Sequence, residues 1–314
     1  MLLQEVLDEF VLDCKIRKLG NTTIVSYRNA NLALFRYLKT EFDLTELEKV
    51  NRLHMKAYVE YLSNKGLKES YVNAQIRNFR AFFKYCEQEC YIRTNPMDRI
   101  NWQKEVIPVI QTFTDIEVVK IVNYYHGGKY MDVRNRLIVA MLFDTGIRCN
   151  ELCNLRVSDI RDTYIHIMGK GKKVRHLPIS NVLKRYMMKY ERVRKEHLKN
   201  KVTTDYDYYF ISQKGKKLTE PTVWRLMHIA GQAVGVREEI RCSPHTARHY
   251  YAQKMLRNKV DLYTLSKLLG HSNLQITKRY LESMEEDSFF EMTSGASPLS
   301  SLADEKRVSR GASW

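Results

Sequence analysis

Pro244-His245-Thr246-Ala247-Arg248-His249 is followed by Leu268-Leu269-Gly270-His271 and, nine residues further on, by Tyr280. An arginine one helical turn from a histidine, a second histidine at a helix end and a tyrosine just beyond could set an oxyanion clamp and a phenolic nucleophile around one phosphate. Singly, each residue is ambiguous. A lone histidine is more often a structural hydrogen-bonder than a catalyst, and Tyr280 is one of twenty tyrosines, most of which must pack or face solvent. The ordered set is what points to chemistry.

Local signals say which elements must hold these groups. Ser243 can cap a helix that has Pro244 at its first position, which puts His245 and Arg248 on one face. Gly270 reads as the stop of a helix carrying Leu262, Leu265, Leu268 and Leu269, so His271 falls on a fixed turn. Upstream, Asp144-Thr145-Gly146-Ile147-Arg148-Cys149-Asn150-Glu151-Leu152 places an arginine after a Thr-Gly turn and opens a helix. Tyr164 to Met168 has the composition of a strand, Gly169-Lys170-Gly171-Lys172 reads as its turn, and Val174 to Ile179 as the return strand.

With these motifs in this order the chain resembles the tyrosine recombinases, also called the phage-integrase family. The resemblance implies six catalytic positions, Arg148, Lys170, His245, Arg248, His271 and Tyr280, with Lys172 the next best match to the hairpin lysine. It implies that Glu151 is a supporting acid, holding Arg148 or the surrounding network rather than touching DNA. It also implies strand exchange without metal, cofactor or nucleotide. Tyr280 attacks a DNA phosphate to form a 3′-phosphotyrosyl link, Arg148 and Arg248 neutralise the non-bridging oxygens, Lys170 protonates the leaving 5′-oxygen and His271 donates a hydrogen bond to the phosphate. His245 is the candidate to manage the Tyr280 proton, since a phenol of pKa about 10 offers little phenolate at neutral pH.

Composition agrees by independent physics. Lys and Arg number 52 against 36 Asp and Glu, and the resulting charge of +16 suits a polyanion whose condensed counterions are released on binding. At 314 residues and 44% hydrophobic content the chain can bury two sizeable cores, which excludes wholesale disorder. No apolar run approaches membrane-spanning length, and the start Met1-Leu2-Leu3-Gln4-Glu5 lacks a secretion signal's basic flank, so a cytoplasmic protein is expected. The pairs Cys86/Cys90 and Cys149/Cys153 lack zinc-site spacing and read as reduced thiols, with no metal site expected.

The expected fold is mainly α with a small β-sheet, in a two-domain recombinase architecture. Residues 1–103 read as a helical core-binding domain of the SAM-like type, with helices marked by Ile24, Tyr27, Leu34, Phe35 and Leu38, by Met55, Tyr58, Val59 and Leu62, and by Ile76, Phe79, Phe83 and Cys86, the last broken at Asn95-Pro96. A generic helical bundle fits that periodicity equally well. The DNA-binding assignment there rests on position and on Lys65, Lys68, Arg77, Arg80 and Lys84; Lys172, Lys173 and Arg175 of the hairpin are further candidates. Residues 104–111 read as a linker, 112–293 as an α+β catalytic domain opened by the capping box Thr114-Asp115-Ile116-Glu117, and 294–314 as a tail without fixed structure. Within the catalytic domain a buried helix at Leu137 to Phe143, a basic helix around Val182 to Asn200, a short Phe210-Ile211 strand and a helix carrying Trp224 are expected. The basic face divides between solvation and phosphate contact.

The resemblance further implies recombination sites in double-stranded DNA as partner and a homo-oligomer, a tetramer on paired sites, with Phe289 and Phe290 docking on a neighbouring protomer or packing in cis. The first amphipathic helix already begins near Gln4, which favours a simple-site recombinase of the Xer or Cre type over one that bridges arm sites. Three rivals stand beside this reading. They are relaxation of DNA by a type IB topoisomerase-like enzyme, non-catalytic DNA binding, and nucleotide hydrolysis at Gly169-Lys170-Gly171-Lys172, which lacks phosphate-loop spacing.

Overall fold

The computed structural model describes residues 1–105, 109–169, 174–199, 205–271 and 273–283. Lys170, Lys172, Lys173, Phe289, Phe290 and the tail 294–314 lie outside them. The chain divides into two compact units, Met1–Ile107 and Pro108–Trp314.

In the first unit, helices α1 (Leu3–Ile16), α2 (Asn21–Phe42), α3 (Arg52–Asn64) and α4 (Glu69–Gln88) enclose one apolar core. Phe10, Leu34, Leu38, Phe79, Phe82 and Phe83 are all fully buried in it, and the Phe10 and Phe82 rings meet edge to face at 5.7 Å. Asn51 caps α3 by accepting from the Leu53 and His54 amides at 2.9 and 3.3 Å. The last helix stops well before Asn95-Pro96. Cys90 takes a left-handed conformation (φ 60°), its amide bonds to Glu87 O at 3.1 Å, and the Tyr91 amide bonds to Cys86 O at 2.9 Å. This reverse-turn cap ends α4 without proline or glycine, so no residue type announced it.

The second unit is built around α6 (Tyr130–Thr145), whose residues Leu137 to Leu142 are buried on every side. It packs against α5 (Asp115–Tyr124), α8 (Asn181–Leu198), α9 (Glu220–Ala233) and α10 (Pro244–Arg257). The Thr114 capping box forms as the sequence indicates, with the Glu117 amide donating to Thr114 Oγ1 at 3.2 Å and Glu117 accepting from the Thr114 amide at 2.7 Å. Strands β1 (Tyr164–Met168) and β2 (Val174–Pro178) form an antiparallel hairpin in which Ile165 faces Leu177 and Ile167 faces Arg175. Short α7 (Cys149–Asn154), α11 (Leu262–Leu269) and α12 (Leu274–Glu282) complete the unit.

Phe210-Ile211 is not a strand; Ile211 makes one isolated bridge, to Lys217. Its carbonyl instead accepts from Tyr130 Oη and Arg134 Nη1, both at 2.9 Å, so side chains of α6 satisfy what a partner strand would have satisfied. On the basic helix α8, Arg194 is drawn off to the carbonyls of Tyr206, Tyr208 and Tyr209. No helix among the described residues is long and apolar enough to cross a membrane.

Candidate active site

Helix α10 begins as its sequence dictates, with Ser243 Oγ accepting the Thr246 amide at 3.2 Å and Pro244 in the first turn. Arg248 is thereby aimed inward and is only 4% exposed. Its guanidinium donates to Gly146 O at 2.6 Å, to Leu269 O at 2.5 Å and to His271 Nε2 at 3.1 Å. Both carbonyls lie at helix C-termini, where unsatisfied acceptors and the helix dipole favour a cation. Gly146 must be glycine on two grounds: its φ is +60°, and a Cβ there would lie 2.4 Å from the Tyr251 ring. Burial, then Arg148 nearby, pulls the Arg248 pKa down to about 10, which leaves it charged at neutral pH.

Arg148 stands at the N-terminal boundary of α7, and its guanidinium donates to Gly270 O and to Glu151 Oε1, both at 3.0 Å. Glu151 also accepts from the Arg148 amide at 3.0 Å and from both terminal nitrogens of Arg175, at 2.9 and 2.6 Å. Arg175 donates its remaining nitrogen to Leu268 O at 2.9 Å. Its side chain is 9% exposed and fully engaged, so the DNA contact expected of it is not what this geometry offers. Arg175 ties the hairpin, α7 and the end of α11 together around one carboxylate.

Burial alone would raise the Glu151 pKa, but the hydrogen bonds and charge of Arg175, followed by those of Arg148, hold it below the usual carboxylate range. Arg175→Ala is expected to lower the unfolding free energy by about 3 kcal/mol, the low end for breaking a buried pair because Arg148 remains. A carboxylate with a depressed folded-state pKa contributes stability that is complete above its unfolded value of about 4 and is lost as pH falls through the folded value. Urea unfolding of both proteins should therefore show a gap that narrows below pH 4. A gap indifferent to pH would assign the loss to packing.

Tyr280, on α12, is 4% exposed beside a cleft of about 680 Å³ that is also lined by Arg148, His245, Arg248, His249 and His271. Burial raises its pKa, and the charges of Arg248 and Arg148 pull part of that back. Its hydroxyl lies 3.2 Å from His249 Nδ1. The ring of His245, the residue expected to manage that proton, meets the ring of His249 edge to face at 4.2 Å. His271 also differs from expectation. A guanidinium can only donate, so Nε2 is an acceptor toward Arg248, and the ring proton sits on Nδ1, 2.8 Å from Thr277 Oγ1. Donation from Nε2 to a phosphate would require that proton to move. Burial, then Arg248, Arg148 and Arg175, pushes the His271 pKa down to about 4 and keeps the ring neutral.

Five of the six residues expected to act on the phosphate, Arg148, His245, Arg248, His271 and Tyr280, thus line one cleft, while Lys170 lies outside the described residues. In the first unit Lys65, Lys68, Arg77 and Lys84 are exposed, as a phosphate contact requires. Arg80 is not free: it donates to Ile100 O and lies over the Trp102 ring at 4.3 Å. No residue pattern marks His249, and Arg175 is held inward by Glu151 and Leu268 O. The available signal for Arg175 was strand parity, because it shares a face of β2 with buried Leu177.

Residues 111–287 match the phage integrase family, and residues 3–104 match the phage integrase SAM-like domain. The tyrosine recombinase XerC of Thermodesulfovibrio yellowstonii is 28% identical over 281 residues, covering 88% of this chain and 91% of its own. A tyrosine recombinase of Pseudothermotoga lettingae is 30% identical over 283 residues, covering 87% and 92%. Among solved structures, XerH site-specific recombinase bound to palindromic difH substrate superposes with a TM-score of 0.72 at 20% identity, over 88% of this chain and 81% of that one. A lambda integrase dimer bound to a COC′ core site gives 0.70 at 18% identity, over 91% and 97%. These two likenesses speak for the fold, and the sequence matches speak for descent: the chain belongs to the phage integrase family, the tyrosine site-specific recombinases.

Proposed function

We propose that this protein exchanges DNA strands at specific sites by cleaving and rejoining them through Tyr280. The observation that carries the reading is the placement of the Tyr280 hydroxyl beside a cleft into which two charged guanidiniums converge, both anchored by main-chain carbonyls. A phosphodiester in that cleft would meet Arg148 and Arg248 at its non-bridging oxygens. Each donor of this kind commonly lowers a barrier by about 3–4 kcal/mol. The phenolic oxygen attacks phosphorus in line with the 5′-oxygen, the P–O5′ bond breaks, and Lys170 is assigned the proton delivered to that leaving oxygen. The 5′-hydroxyl of a partner strand reverses the step, so bond energy is conserved and ATP is not needed. Exchange between two duplexes breaks four strands, one per tyrosine, which makes four copies on paired sites the working unit. The domain limits 1–103 and 112–293 follow the same division of labour, with the exposed lysines and Arg77 of the first unit on the phosphate backbone and the second unit doing the chemistry.

Recombinant junctions formed from two-site DNA in the presence of EDTA test this. The arginines supply the charge that a metal would otherwise supply, so chelation should leave the yield unchanged. Relaxed plasmid without junctions would favour the topoisomerase reading, and loss of junctions not restored by non-coordinating salt would sink the metal-free chemistry.

A further inference from the structure

A phenol buried among arginines cannot attack phosphorus until its proton has somewhere to go. Arginines are always charged and cannot take it. His271 has both ring nitrogens committed, to Arg248 and Thr277, and its ring lies nearly parallel to that of Tyr280 at 6.3 Å between centroids. The remaining imidazole in contact is His249, whose Nδ1 stands 3.2 Å from the hydroxyl.

Building on the recombinase reading above, we propose that His249 is a catalytic residue, taking the Tyr280 proton on Nδ1 as the phenolic oxygen attacks and returning it when the strand is rejoined. The balance closes within the site. The Tyr280 O–P bond forms as P–O5′ breaks, the phenolic proton moves to His249, and the leaving oxygen receives a proton from Lys170. In the reverse step the attacking 5′-hydroxyl gives its proton to Lys170 and the His249 imidazolium reprotonates the departing phenolate.

The titratable and charged groups that line the cleft with His249 are His245 and Arg248 on α10, His271 on the turn after α11, and Tyr280 and Arg279 on α12. Arg148 and Glu220 stand across the cleft. Burial, then His245 and Arg248, pushes its pKa down to about 4, so it is a neutral acceptor at the pH of reaction. A bound phosphodiester brings negative charge against Arg248 and thereby raises the basicity of the ring as the substrate arrives.

His249→Gln keeps a hydrogen-bonding side chain of similar reach that cannot carry the proton. Its rate of adduct formation on a suicide substrate should fall about 10²-fold or more at pH 7, the usual contribution of a general base. The loss should shrink tenfold for each unit of rising pH, whereas the unsubstituted protein stays level between pH 6 and 8. A bridging 5′-phosphorothiolate, whose sulfur leaves without protonation, should restore Lys170→Ala but not His249→Gln. Imidazole added to His249→Ala should recover part of the rate and covers the case of a poorly folded glutamine variant. An unchanged pH profile in His249→Gln, or its rescue by the phosphorothiolate, overturns the assignment. Should the unsubstituted protein form its adduct through another residue, the Tyr280 reading itself fails, and that result is distinguishable because the His249 variants are scored only against an adduct mapped to Tyr280.

Discussion

Tyr280→Phe should abolish the covalent DNA adduct completely while leaving half-site binding intact. The substitution removes the single oxygen that bonds to phosphorus and keeps the ring that packs against His249 and His271. The structural penalty is one hydrogen bond to His249, about 1 kcal/mol, which a folded domain tolerates. The chemical penalty has no such bound, because no other nucleophile replaces the oxygen. A suicide substrate resolved on a denaturing gel, with a gel shift on the same half-site, separates the two. An undiminished adduct would move the nucleophile elsewhere, with Tyr250, Tyr251 and Tyr263 the first to examine. Of these, Tyr250 already donates to Asp115 at 2.6 Å.

Arg248→Lys should slow adduct formation by about 10²–10³, the loss seen when one donor to a developing oxyanion is removed. Lysine keeps the charge but not the planar fork that spans Gly146 O, Leu269 O and His271 at once. An ammonium satisfying one of these carbonyls leaves the other buried without a donor, so the turn after α6 and the end of α11 lose their common anchor. Single-turnover cleavage measured beside half-site affinity distinguishes the effects: the rate should collapse while binding, spread over many phosphates, changes little. Equal losses in both would mean that Arg248 merely holds the ground-state complex.

Much of this site could be read from the chain because its positioning signals are local. Ser243 before Pro244, Thr114 three residues before Glu117 and Gly270 after a leucine-rich turn each act on their own backbone within a few residues, and each does so in the structure. The hairpin was legible from composition and turn chemistry for the same reason. What escaped depends on distant elements. The family resemblance makes His245 the expected proton acceptor, but Tyr280 arrives on α12, and no pattern within α10 says that its hydroxyl will stand beside His249. Arg175 looked like a DNA contact because it sits in a basic hairpin, although alternation along β2 sends it inward with Leu177. The end of α4 was missed because Cys90 adopts a conformation more often taken by glycine or asparagine.

The carbonyls that hold Arg148 and Arg248 come from the turns closing α6 and α11, and this has a consequence for how the protein meets its substrate. Had carboxylates alone fixed these guanidiniums, each would have arrived at the phosphate already neutralised. Peptide oxygens orient Arg248 while cancelling little of its charge, and the one carboxylate on Arg148, Glu151, is shared with Arg175, so the cleft retains its attraction for an anion together with the rigidity of main chain. The rotational freedom of two long side chains is surrendered when the protein folds and not when DNA arrives, which leaves more of the encounter energy for distorting the duplex. The cost is shared vulnerability, since fraying the last turn of α11 would take one anchor from each arginine at once, leaving Arg248 on Gly146 O and Arg148 on Glu151.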